Sequence, residues 1–78
     1  MLKPASSTLT ENERMILLLI AGGYDNDQIA ERLQLSLPLF IETLARAMDK
    51  MRAKDRHAAA LQALRQGDIL LDELHSLS

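Results

Sequence analysis

The chain has no cysteine and no tryptophan, a single phenylalanine and a single tyrosine, and only three glycines and two prolines in 78 residues. Without thiols there is no disulfide framework and no thiolate metal site, a composition that fits a reducing cytoplasm. With so few aromatics the core must be built from Leu, Ile, Ala and Met. Few helix breakers and aliphatic residues at helical spacing point to one small all-α domain, near the lower size limit for a self-sufficient core. No stretch approaches the roughly 20 apolar residues of a membrane span. The opening MLKPASST lacks the apolar run of a signal peptide, so the expectation is a cytoplasmic protein without membrane attachment. Catalytic chemistry is sparse as well. No Ser-His-Asp order, phosphate-cradling glycine loop or convergent carboxylate pair stands out, which argues against an enzyme. His57 and His75 have no Cys or carboxylate partners at ligand spacing, so no metal site and no cofactor is expected.

What is present is a series of capped helices. Thr10 followed by Glu13 is a capping box: the hydroxyl accepts the backbone N–H three residues on, and the carboxylate reaches back. The helix it starts runs to about Ala21 and stops at Gly22-Gly23, either of which can take the left-handed conformation. Ile16, Leu17, Leu19 and Ile20 form its buried stripe. Met15 and Leu18 fall beside that stripe, so the helix is apolar over more surface than one interface requires. Asp25, with Gln28 at the reciprocal position, caps a second helix that turns Ile29, Ala30 and Leu33 inward. Gln34-Leu35 makes a tight turn, and Ser36 caps a third helix over about 37–51. Pro38 is tolerated in its first turn, where its missing N–H has no intrahelical partner. Phe40, Leu44, Ala47 and Met51 are its predicted core residues. After the link Arg52 to Asp55, a fourth helix spans about 56–66 and ends at Gly67. An amphipathic extension, 68–78, carries Ile69, Leu70, Leu71, Leu74 and Leu77. Residues 1–8 read as a flexible arm.

Net charge is −2, low for a nucleic-acid binder, but the charges are segregated. Arg46, Lys50, Arg52, Lys54 and Arg56 stand against Asp49 and Asp55, whereas the first half carries Glu11, Glu13, Asp25, Asp27 and Glu31 against Arg14 and Arg32. Two short helices and a tight turn that present a third helix are the helix-turn-helix arrangement.

The pattern resembles the LuxR/GerE-type helix-turn-helix domain. It carries that family's Leu-Thr at Leu9-Thr10, Glu-Arg at Glu13-Arg14, and Leu-x-Leu-Ile-Ala at Leu17 to Ala21. Gly23, Asn26, Ile29-Ala30, Leu33 and the capping Ser36 follow at the family's spacing. Downstream, Lys50-Met51, Arg56 and Ala63 to Gly67 match its later positions, so that the resemblance covers about Leu9 to Ile69. The run Leu44-Ala45-Arg46-Ala47 with Lys50 and Arg52 is also similar to the end of sigma-factor region four. The resemblance implies four helices plus a short C-terminal helical extension, with a domain over 9–67, a helix-turn-helix at about 25–44 and a recognition helix at about 37–51. It implies a small stand-alone transcription regulator that binds double-stranded DNA as a homodimer. Its departures matter. Leu39 replaces a residue whose hydroxyl touches phosphate, Phe40 replaces a core valine, Thr43 stands where a His is common, and Asp27 replaces a frequent lysine.

For DNA contact the candidates are Thr43, Arg46, Lys50, Arg52, Lys54 and Arg56. The cations would neutralise phosphate, Arg46 could fork onto a guanine, and Thr43 could make one base contact. Any of these cations could equally belong to a solvated face balanced by Asp49 and Asp55. The closing helix at 56–66 is the resemblance's dimer contact, with Ala59, Leu61, Ala63 and Leu64 as candidates; alternatively the tail folds back over Met15 and Leu18 and completes the core. A competing reading makes Leu37, Leu39 and Ile41, beside Asp27, Glu42 and Asp49, a protein-contact patch. The partner would be another regulator or RNA polymerase, with little DNA binding.

Overall fold

The computed structural model describes residues 9–77; the expected N-terminal arm, 1–8, lies outside them. Five helices form one bundle: α1 (Glu11–Ala21), α2 (Asn26–Leu33), α3 (Leu37–Met51), α4 (Arg56–Gln66) and α5 (Glu73–Leu77). The starts of α1 to α4 are each set by a side chain that accepts an otherwise orphaned backbone N–H. Thr10 and Glu13 close a reciprocal box at 3.2 and 2.9 Å, and Asp25 and Gln28 another at 2.9 Å each way. Ser36 accepts from Leu39 N–H. Asp55, placed in the connecting link by sequence, caps α4 through Ala58 N–H at 2.7 Å.

The stops are equally local. Gly23, not Gly22, takes the left-handed conformation after α1, with φ +91°. The α2 stop uses Gln34 in the same region (φ 58°), and Leu35 N–H closes the turn onto Ala30 C=O at 2.9 Å. That turn, Gln34 to Ser36, fixes how α3 leaves α2.

α1 is the central element, packed against every other helix. Five consecutive residues, Ile16 to Ile20, are buried. Leu18 is therefore inside rather than beside the stripe, because the faces α3 leaves open are covered by α4 and the tail. On α3, Phe40, Ala47 and Met51 are buried as predicted, but Thr43 takes the buried place expected of Leu44, which is half-buried. Phe40 is the largest fully buried side chain; truncating such a residue to Ala costs about 3–5 kcal/mol.

The tail folds back. Ile69 is buried, Leu74 packs over Gly22, and Arg14 Nη1 meets Glu73 Oε2 at 2.7 Å, while Leu70 and Leu71 stay exposed. The extension thus completes the core across α1. Among the described residues no helix is long and apolar enough to cross a membrane, and no cluster of His, Cys, Asp or Glu could hold a metal ion.

Candidate nucleic-acid interface

The helix-turn-helix is α2, the Gln34 turn and α3. Its inner side is fixed by Ile29, Ala30, Phe40 and Ala47, all buried. The outer side of α3 then presents Leu37, Pro38, Ile41, Glu42, Ala45, Arg46 and Asp49 to solvent. Ile41 is the most exposed of the aliphatic residues there, at 58%.

Thr43 is not on that surface. It is 4% exposed, and its hydroxyl donates to Leu39 C=O at 2.7 Å, one turn back. A buried hydroxyl already bonded to its own helix cannot reach a base edge, so the expected Thr43 contact is withdrawn. The helix is rotated so that residues 40, 43, 47 and 51 line the inner seam.

Arg46 and Lys50 converge on one acid. Glu13, 1% exposed, accepts from Lys50 Nζ at 2.7 Å through Oε1, while its Oε2 lies 3.6 Å from Arg46 Nε. Burial by itself would raise this carboxyl. Hydrogen bonds from Lys50 and from Thr10 N–H, with the charges of Lys50 and Arg46, outweigh burial and hold it below its ordinary value. Arg46 also donates from Nη1 to Glu42 Oε2 at 3.1 Å and is 52% exposed. Lys50, 29% exposed at its side chain, is bound up in holding α3 to α1. Its ammonium is therefore shared with a buried acid of α1 rather than presented alone on the outer face of α3.

Arg56 also acts within the fold. Its Nη1 donates to Asn26 Oδ1, tying the start of α4 to the start of α2 beside an open cleft of about 570 Å³ that Tyr24, Asp27 and His57 also line. Arg52 and Lys54 are exposed at the α3–α4 junction, where they line a second pocket with Arg65. The six predicted DNA residues therefore do not form one face. One is buried, two gather on Glu13, one binds Asn26, and two stand together at the junction.

The predicted dimer residues divide too. Ala59 and Ala63 are fully buried in the core and cannot contact a second chain, whereas Leu61 is half exposed and Leu64 partly buried. Leu37, Leu39 and Ile41 are exposed as a group, with Glu42 and Asp49 on the same helix and Asp27 on α2.

Sequence reasoning missed Glu13 as a charge hub and Arg65 as a neighbour of Arg52 and Lys54. A signal for the first was present. Positions 13, 16, 17 and 20 share one helical face, so an acid at the head of the buried stripe had to find a cation, and Arg46 and Lys50 flank Ala47 one turn apart.

No curated protein and no solved structure matches the chain. Residues 7–63 match the family described as bacterial regulatory proteins, luxR family (GerE). That span includes α1, α2, α3 and most of α4, and leaves the folded-back tail outside it. The chain belongs to the LuxR family of bacterial regulatory proteins, a family of DNA-binding helix-turn-helix regulators.

Proposed function

We propose that this chain regulates transcription by binding double-stranded DNA with α3 as its reading helix, Ile41, Ala45 and Arg46 being turned toward the base edges. The supporting observation is the capped turn at Gln34 to Ser36, from which α3 leaves with Leu37, Ile41, Glu42, Ala45 and Arg46 exposed on its outer face. On that face Arg46 is the cation placed for readout. Glu42 and Glu13 engage its Nη1 and Nε, and the second Nη1 hydrogen together with Nη2 of this half-exposed side chain is the donor pair we assign to guanine O6 and N7. Gel shift with double-stranded promoter DNA at low salt tests this reading. Arg46→Gln should weaken binding by roughly tenfold or more, as loss of a bidentate base contact does, and no shift by the wild type at low salt would end it.

A second reading is favoured by one specific observation: Leu37, Leu39 and Ile41 are exposed together beside Glu42. An apolar patch with an acidic rim suits a protein surface rimmed by Lys and Arg, on another regulator or RNA polymerase. Under this reading Ile41→Asp abolishes recovery of the partner in a pull-down, while Arg46→Gln leaves it intact.

The homodimer narrows to a contact through Leu61 and Leu64. Stable interfaces bury about 800 Å² per partner, more than these two side chains supply, so pairing belongs on a two-fold DNA site rather than in free solution.

A further inference from the structure

The chain has nine Lys and Arg residues, of which Lys3 lies outside the described region. Five of the remainder are engaged within the fold. Arg14 pairs with Glu11 and Glu73, Arg46 with Glu42 and Glu13, and Lys50 with Glu13. Arg56 binds Asn26, and Arg32 lies 4.7 Å over the Tyr24 ring. The other three, Arg52, Lys54 and Arg65, line a single pocket of about 290 Å³ between the end of α3 and the outer face of α4. No Asp or Glu lines it. The nearest acid in sequence, Asp55, is held as the cap of α4.

Backbone geometry fixes this arrangement. Arg52 ends α3 in the left-handed conformation (φ 55°), and Ala53 N–H closes onto Met48 C=O at 3.0 Å. Arg65 stands in the last turn of α4, one turn beyond Leu61 and Gln62. Arg52, Lys54, Arg65 and Gln62 thus line one pocket together with apolar residues that include Met51 and Leu61. A water occupies about 30 Å³, so the space admits a phosphate group with part of its hydration. Arg forks match phosphate oxygens in pairs, and Lys adds a point charge.

We infer that this pocket is a phosphate-binding site, and that on a DNA target it holds the sugar-phosphate backbone, which crosses the α3–α4 junction as α3 reads the groove. The DNA part rests on the function proposed above. The site accounts for how a chain of net charge −2 engages a polyanion, because the three cations without a partner among the described residues share one concavity instead of being spread along α3.

The test is fluorescence anisotropy of labelled double-stranded DNA with the full chain at several salt concentrations. Wild type is compared with Arg52→Gln/Lys54→Gln/Arg65→Gln and with Lys54→Gln/Arg65→Gln, which leaves the left-handed Arg52 untouched; circular dichroism verifies folding. Each phosphate neutralised contributes about 0.9 to the slope of log K against log salt. The triple variant should lose about 2.7 in slope and the double about 1.8. Wild-type affinity should then fall about 40-fold more than that of the triple variant between about 50 and 200 mM salt. Folded variants with the wild-type slope overturn the site while leaving DNA binding in place. If wild type binds no DNA at all, the regulator reading fails, and inorganic pyrophosphate decides the pocket by NMR. Shifts confined to amides 52–54 and 61–65, absent from the double variant, support a site for free phosphates, and no shifts overturn it.

Discussion

Lys50 Nζ lies 2.7 Å from Glu13 Oε1, so that the last turn of α3 is bonded to the first turn of α1 across 37 residues of sequence. The same oxygen accepts the N–H of Thr10. One buried carboxylate therefore caps a helix and anchors the reading helix at once. Removing its cation leaves a charge with little access to water, which is costlier than losing a surface pair. Lys50→Met should lower stability by about 2 kcal/mol, below the range for fully enclosed pairs because Arg46 stays nearby and Lys50 is partly solvated. For a domain this small, that is about 10 °C in Tm. Glu13→Gln keeps an acceptor for both donors and should cost about half as much. The double variant should be milder than the sum of the two. Thermal melts decide it: a Lys50→Met loss below about 0.5 kcal/mol, typical of a surface change, would show the pair to be incidental.

The same carboxylate sets the acid limit of the fold. Glu13 is held below its ordinary pKa in the folded chain, because Lys50, Thr10 N–H and Arg46 together outweigh the opposing effect of burial. Glu73 is lowered as well, first by Leu70 N–H and then by Arg14. Protonation therefore favours the unfolded chain. The stabilisation is complete above the ordinary glutamate pKa of about 4.3 and is lost as pH falls from there through the lowered folded values. Tm should stay level from neutral pH to about 5.5 and decline below about 4.5. Glu13→Gln should flatten that decline, and an unaltered pH profile in the variant would place the acid sensitivity elsewhere.

These two expectations mark what the sequence does and does not disclose. The bounds of α1 to α3 were legible because each start carries its acceptor, at Thr10, Asp25 and Ser36, and the exit of α1 carries Gly23. The inside of α1 was legible except for Leu18, whose burial depends on α4 and the tail arriving on a second face. The candidate site was harder to read because its pairings are long-range. Nothing local to Lys50 says that Glu13 lies beneath it, and nothing local to Arg65 says that Arg52 and Lys54 share its pocket. Ala59 and Ala63 show a different limit. Small residues on a helix say that another helix comes close, not whose helix it is, and here the close neighbour is α1 of the same chain.

Gly22 offers a test of the tail. Its φ of −83° suits any residue, so glycine is needed there for space rather than for conformation. A Cβ at Gly22 would sit 2.9 Å from Leu74 Cδ2 and 3.2 Å from Cδ1. Those atoms end a flexible side chain on α5, and the tail can swing away more readily than α1 can move. Gly22→Ala should cost about 1 kcal/mol, at the low end for overpacking. Faster amide hydrogen exchange should be confined to residues 70–77. Unchanged exchange there would mean that Leu74 repacks in place and that the tail is not held by this contact.

Self-association should depend on anions. Leu61 is the exposed apolar residue of α4, and it lines the same pocket as Arg52, Lys54 and Arg65. A two-fold contact through Leu61 would bring this cation cluster close to its copy with no carboxylate of the pocket between them. Salt at 0.1 M screens charges only beyond about 10 Å, so the repulsion across such a close contact persists and bare chains should remain monomeric in sedimentation velocity. A DNA fragment carrying two sites in inverted repeat supplies the missing negative charge and should bind two copies cooperatively. Leu61→Asp should abolish that cooperativity while single-site affinity falls by less than about tenfold, because only one carboxylate is added near the phosphates. A wild-type dimer that is stable without DNA, or cooperativity that survives Leu61→Asp, would move the two-fold contact off α4.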